Sequence, residues 1–124
     1  MSTWTTEELE KIGNTQEIRI ATLRKDGTLR KKVIIWIVRV DDDLYVRSVN
    51  GCDGVWFTGM LNQHAGRIWA GGIEKDIAFV EEDDPEITKK IDEGYRTKYS
   101  HLPQYVAPMV IPKAREATLK VTPR

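Results

Sequence analysis

The segment Lys32 to Val40 constrains this chain more than any other. Val33, Ile34, Ile35, Ile37, Val38 and Val40 make it β-branched almost throughout, which favours a strand. Its apolar residues do not alternate with polar ones. Both faces of such a strand need cover, as in the wall of a small closed barrel or at a contact between subunits. The longest unbroken apolar stretch, Val33 to Val38, is far too short to span a bilayer.

The flanks of this run say how it is connected. Residues 17–24 alternate apolar and polar, the period of a half-buried strand. Asp26-Gly27 is a tight-turn dipeptide that leads into the apolar run. Asp41-Asp42-Asp43 makes the next turn, and residues 44–49 read as a third strand. Ahead of these strands, Thr5 and Glu8 have capping-box spacing, with Trp4 and Leu9 at hydrophobic-staple positions. A helix is expected over 6–12, with Gly13 as the left-handed residue that ends it.

After a polar loop at 50–54, residues 55–63 read as a helix with Val55, Trp56, Gly59, Met60 and Gln63 on one side and Gly66 as its stop. Strands are expected at 67–70 and 74–80 around Gly71-Gly72. Asp84-Pro85 opens a further helix with Ile87, Ile91 and Tyr95 in one buried stripe. Pro103, Pro108 and Pro112 mark 100–112 as an irregular loop. Residues 117–121 alternate again as a last strand. Successive hairpins imply antiparallel pairing. The expected fold class is α+β, with a small antiparallel barrel of about six strands and short flanking helices. A single domain over 1–124 is expected, with a helix-bearing segment at 1–14.

Charge excludes some functions. Nineteen Lys plus Arg balance nineteen Asp plus Glu. That leaves no electrostatic footprint for a nucleic acid or a membrane surface. The balance comes from blocks of opposite sign: +3 over 1–40, −3 over 41–66, −5 over 67–93 and +5 over 94–124. Cys52 is the only cysteine, so neither an intrachain disulfide nor a cysteine zinc cluster can form. The N-terminus lacks the apolar core of a signal peptide, and the expected location is the cytoplasm.

Most motifs have ordinary explanations. The acidic groups at 41–43 and 81–84 sit at a turn and a helix start and lack calcium-loop spacing, so no metal site is expected. His64 and His101 have no ligand-spaced neighbours. Cys52 precedes a helix, but the adjacent Asp53 opposes a reactive thiolate. The basic group Arg30-Lys31-Lys32 guards the end of an apolar strand. In an antiparallel hairpin the start of strand two lies near the end of strand three. Arg30, Lys31, Arg47 and Ser48 are therefore expected to converge beside the 50–54 loop, a combination that suits a phosphate. Trp56 would stand close enough to cover an aromatic ring. Trp36 and Trp69 fit simple core positions equally well. Tyr95, Tyr99 and Tyr105 are candidate proton donors or lid residues, with packing the commoner role.

The order of these segments resembles the flavin- and deazaflavin-binding split β-barrel superfamily. The resemblance rests on Asp26-Gly27-Thr28-Leu29-Arg30 before an apolar strand, then Asp43-Leu44-Tyr45-Val46-Arg47-Ser48. Gly54-Val55-Trp56-Phe57 opening a helix, and Gly66-Arg67-Ile68 starting a strand, continue it. It covers residues 15–124 and is similar to deazaflavin-dependent nitroreductases and pyridoxamine-phosphate-oxidase-like proteins, most of all to small bacterial members of unassigned function. The resemblance implies a homodimer of split barrels that binds FMN or a deazaflavin at the dimer interface and reduces a small-molecule acceptor. Carried over, Arg30 pairs with cofactor phosphate, and Val33 to Ile35 present backbone beside the ring. Ser48 and the loop at Asn50 hold phosphate or ribityl oxygens, and Trp56 lines the pocket. Where relatives follow the serine with a phosphate-binding lysine, Val49, Asn50 and Gly51 follow here. Arg47 is left to serve that role from the preceding position, with Lys31 among the bases expected nearby. Val33 also stands where a proline is usual. The alternative is a non-catalytic ligand-binding or dimerisation module with a degenerate pocket. No side chain is identified as a catalytic acid or base.

Overall fold

In the computed structural model, residues 3–124 are described; Met1 and Ser2, at the start of the expected 1–14 segment, lie outside them. The described residues form seven strands and five short helices. They are α1 (Thr6–Gly13), β1 (Ile18–Thr22), β2 (Val33–Ile35), β3 (Val38–Val40), β4 (Asp43–Arg47), α2 (Val55–Met60) and β5 (Ala65–Ala70). Then follow β6 (Ile73–Glu81), α3 (Pro85–Lys98), α4 (Pro103–Val106), α5 (Pro112–Arg115) and β7 (Thr118–Pro123). One antiparallel sheet runs in the order β2-β1-β5-β6-β7-β4-β3. This is an α+β split barrel.

The seventh strand arises because the apolar run divides. Val33–Ile35 pairs with β1, and Val38–Val40 pairs with β4, at opposite ends of the sheet. Trp36 and Ile37 form the corner between them. Ladder bonds are replaced there by side chains from the end of α3. The Tyr99 hydroxyl accepts from the Ile37 amide at 3.3 Å and donates to the Gln16 carbonyl at 2.6 Å. Lys98 Nζ donates to the Ile37 carbonyl at 2.6 Å. The Tyr99 ring stacks on Trp36, with centroids 3.8 Å apart and planes 3° from parallel. The Ile37 amide and carbonyl are thus satisfied without a strand partner. The two-sided burial expected of the run holds within the chain at Ile37 and Val38, whereas Ile34 is 56% exposed.

Two apolar clusters hold the barrel. Inside it, Ile18, Ile20, Leu44, Val46, Ile68 and Val121 pack with Trp4 and Ile12 from the N-terminal segment. Each fully buried aliphatic side chain contributes roughly 1.5–3 kcal/mol. On the outer face, Val38 and Tyr45 pack under Ile91, Tyr95 and Tyr99 of the α3 segment. The expected capping box at Thr5 and Glu8 is present, and Trp4 Nε1 donates to the Val121 carbonyl at 2.8 Å. Asp84 caps α3 through the amides of Glu86 and Ile87.

Several local expectations are corrected. Helix α1 does end at Gly13, but without a left-handed residue. A side chain at Gly13 would press on Arg39 Cβ at 3.3 Å, so space and not φ favours glycine. Helix α2 stops at Met60, and it buries Phe57, Gly59 and Met60 while Val55 is 89% exposed. The left-handed residue after it is His64, at φ 52°. Gly66 lies within β5, where a Cβ would come 2.2 Å from the Ala21 carbonyl oxygen. The proline-marked segment 100–112 is helical in pieces. Pro103 and Pro112 each stand in the first turn of a helix, and Pro108 in a 3-10 turn, where the missing amide costs nothing.

Burial pulls the Lys98 amine down from 10.5 to about 8. The unfolded chain keeps this proton to about 10.5, so between those values it binds more protons than the folded chain. Burying Lys98 is therefore without charge cost above the unfolded value, and carries its full cost once pH falls below about 8. In urea unfolding, the wild type should gain stability relative to Lys98→Met between neutral pH and about 9.5. An unchanged difference would show that the amine is not desolvated at the corner.

Candidate functional site

Where the two ends of the sheet face each other, they leave a cleft of about 500 Å³. Ile34, Ile35 and Trp36 form one wall, from β2 and the corner. Ser48, Val49 and Asn50, just past β4, form the facing wall, with Trp56 of α2. Leu102, Tyr105 and Met109 come from the helical turns after α3, and Gln16 and Glu17 from the segment before β1. Mixed aromatic and polar lining of this kind is what a small-molecule site uses.

Strand alternation sorts the β4 side chains. Leu44 and Val46 face the barrel interior, so Tyr45 and Arg47 face α3. Arg47 is 1% exposed, and its guanidinium is fully engaged in packing. Nε donates to Thr118 Oγ1 at 2.9 Å, and Nη1 to Asp92 Oδ1 at 2.5 Å and the Met109 carbonyl at 2.9 Å. Nη2 reaches the Thr88 carbonyl at 3.3 Å. Asp92 is also held by Arg115 through Nε at 3.0 Å and Nη2 at 2.8 Å. Removing one partner of a buried ion pair costs on the order of 3–5 kcal/mol, so this network fixes α3 and α5 against β4. Burial also raises the pKa of Tyr95, whose ring lies 5.5 Å from the Arg47 guanidinium.

Ser48 is 1% exposed and sits against the next loop. Its carbonyl accepts from the Gly51 amide at 2.9 Å, and the Gly51 carbonyl from the Gly54 amide at 3.1 Å. A Cβ on Gly54 would lie 2.4 Å from Ser48 Oγ. Glycine is needed there because the loop folds back onto the serine.

The expected basic cluster does not assemble at the cleft. The hairpin partner of β4 is β3, and β2 lies at the other end of the sheet order, so the two meet only across the split. Of the expected residues, Ile35, Arg47, Ser48, Asn50 and Trp56 line the cleft, and Arg30, Lys31 and Val33 do not. The Arg30 side chain lies over α2, where a Cβ on Gly59 would be 3.0 Å from Arg30 Nε. That Nε is buried without a hydrogen-bond partner. Lys31 is exposed, and Val33 packs at the edge of the barrel core. Gln16, Glu17, Leu102 and Met109 were not singled out by the sequence, because they reach the cleft from distant segments, and Trp36, which fitted a simple core position equally well, lines it too. Tyr105, a candidate lid residue, is 59% exposed at its rim, whereas Tyr95 and Tyr99 are buried packing. Cys52 is exposed, with its thiol pushed up by burial and by the carboxylates of Glu116 and Asp53.

Residues 8–121 match the family described as "uncharacterized protein conserved in bacteria (DUF2255)", and the chain belongs to it. No curated protein matches. Among solved structures, the chain is similar to an FAD-binding protein from Mesorhizobium loti, at 16% identity and a TM-score of 0.66, covering 98% of this chain and 90% of that one. It is similar to an F420-H2 dependent reductase at 13% identity and a TM-score of 0.60, covering 86% and 92%. A third neighbour, described as a domain-swapped dimer, shares 15% identity with a TM-score of 0.61, covering 94% and 92%. These structures share the split-barrel fold of this chain. No helix among the described residues is long and apolar enough to cross a membrane.

The Ser48–Gly54 contact can be tested directly. Gly54→Ala should cost about 1–3 kcal/mol by denaturant unfolding, because the new methyl has nowhere to go. Adding Ser48→Ala should recover most of that loss. A Gly54→Ala protein as stable as wild type would contradict the close approach.

Proposed function

We propose that this member of the bacterial family binds a flavin-type ring, that of FMN or a deazaflavin, in the cleft and reduces a small acceptor with it. The observation that carries the reading is the cleft itself, lined by the strand edge of Ile34 and Ile35 and by Trp36 and Trp56. The structural neighbours named for FAD and F420 support it at the level of fold.

The residues present fit the ring. Trp36 has one face covered by Tyr99 and also lines the cleft, so it is a rigid aromatic wall. Trp56 lines the cleft as well, and Ser48 and Asn50 provide hydrogen-bonding groups for polar ring edges or ribityl oxygens. Such a ring, when bound, supplies hydride or electron transfer, and the protein supplies position and a partly dry setting. Hydride transfer itself needs no acid or base, and no lining side chain is assigned that role.

The reading includes self-association. Ile34, Val49 and Tyr105 stand exposed around the cleft mouth, at 56%, 47% and 59%, and a second copy would cover them. It also includes a cytoplasmic setting, where one unpaired thiol, Cys52, is at home. The alternative, a ligand-binding or dimerisation module without turnover, draws on Arg47, which is committed to Asp92 and leaves no cation in the lining free for a cofactor phosphate.

Titration of the purified protein with FMN and with a 5-deazaflavin should quench tryptophan fluorescence and shift the ring absorbance for at least one of them. Trp56→Ala and Ser48→Ala should each weaken that binding by about tenfold, or about 1.4 kcal/mol. Light scattering should give a dimer mass. Absence of any spectral response to both rings would refute the cofactor reading.

A further inference from the structure

A flavin nucleotide has two chemically separate parts, a flat uncharged ring and an anionic phosphate tail. Tight phosphate sites use a guanidinium or ammonium with free donors, or amides that point outward without partners. The cleft meets the first part and not the second.

Two charged residues line it among the described residues, Arg47 and Glu17. Arg47 directs hydrogen bonds from all three of its nitrogens to Asp92, Thr118, Met109 and Thr88, and Asp92 balances its charge. Turning it toward a ligand would leave Asp92 with Arg115 alone and strip Thr118 and Met109 of their donor. Glu17 is exposed at the cleft and repels an anion. The loop past Ser48 has spent the Gly51 and Gly54 amides on its own turn. Asp53 adds a further negative charge at the start of α2.

The other bases near the cleft, among them Lys113 beside Gly51, lie outside its lining. Arg30 lies along α2 at Gly59, and Lys32 Nζ sits 4.1 Å above the Trp69 ring. Neither lines the cleft. What the lining does offer is aromatic and aliphatic surface from Trp36, Trp56, Tyr105, Ile34 and Ile35, with the polar groups of Ser48, Asn50 and Gln16.

We propose that the cleft selects an uncharged planar heteroaromatic ring of the riboflavin type, and that a terminal phosphate contributes nothing to its binding. This rests on the ring-binding reading above and specifies its ligand class. A flat ring gains from stacking and from hydrogen bonds at its edge. A phosphate in the same cleft meets Glu17 without a free counter-ion in the lining and stays in solvent.

Riboflavin and FMN titrated side by side into the full-length protein, at low and high salt, test this. The two dissociation constants should agree within about threefold, and that for FMN should not weaken with salt. Glu17→Lys places a cation at the rim on an exposed site. It should tighten FMN relative to riboflavin by about threefold or more. FMN bound about tenfold tighter than riboflavin by the wild type, with affinity falling as salt rises, would overturn the proposal and show that a cation reaches the phosphate, for instance from a second copy. Equal response of both ligands to Glu17→Lys would also count against it. Binding of neither ring would remove the ring reading itself, and the proposal with it.

Discussion

Ile37 sits between two strands that lie at opposite ends of one sheet, and its backbone is held by α3. Tyr99 and Lys98 take its amide and carbonyl, and Tyr99 stacks on the preceding Trp36. This corner has three consequences. It lets one apolar run supply both sheet edges. It brings those edges face to face and so curls the sheet into a barrel with a split. It also sets Trp36 as a fixed wall of the cleft that the split leaves open. A straight strand over the same residues would give a flat edge and no cleft.

A second constraint lies beneath the cleft. Arg47 and Asp92 are almost fully buried, and each holds an element that lines or borders the site. Asp92 joins α3 to β4 through Arg47 and to α5 through Arg115. Buried ion pairs of this kind add modest net stability but are costly to break. They therefore fix position more than they add strength. The consequence is electrostatic: Arg47 is neutralised from behind, and the cleft lining is left aromatic and polar without a free positive charge.

Much of this was legible in the sequence because it depends on local chemistry. The capping box at Thr5 and Glu8, the cap at Asp84, the hairpins and the strand character of 32–40 follow from residue type and spacing within a few positions. The order of motifs from Asp26 to Phe57 was enough to indicate a split barrel. The break at Trp36-Ile37 was not legible, because its cause lies sixty residues away in Tyr99. The same holds for Arg47. A base at the end of a strand beside a serine reads as a phosphate ligand until Asp92 is brought next to it. Helical turns at Pro103 and Pro112 were misread because proline marks both loops and first turns of helices. The site residues Gln16, Glu17, Leu102 and Met109 carry no signal of their own, since tertiary folding alone assembles them.

The central claim is that the corner at Trp36-Ile37 makes a cleft that holds a flat ring. The most direct test is a crystal structure of the protein grown with riboflavin. The account predicts ring density between Trp36 and Trp56, beside the strand edge of Ile34 and Ile35, with Arg47 still paired to Asp92. Ring density elsewhere on the surface, or Arg47 drawn out of its pair into the cleft, would contradict it.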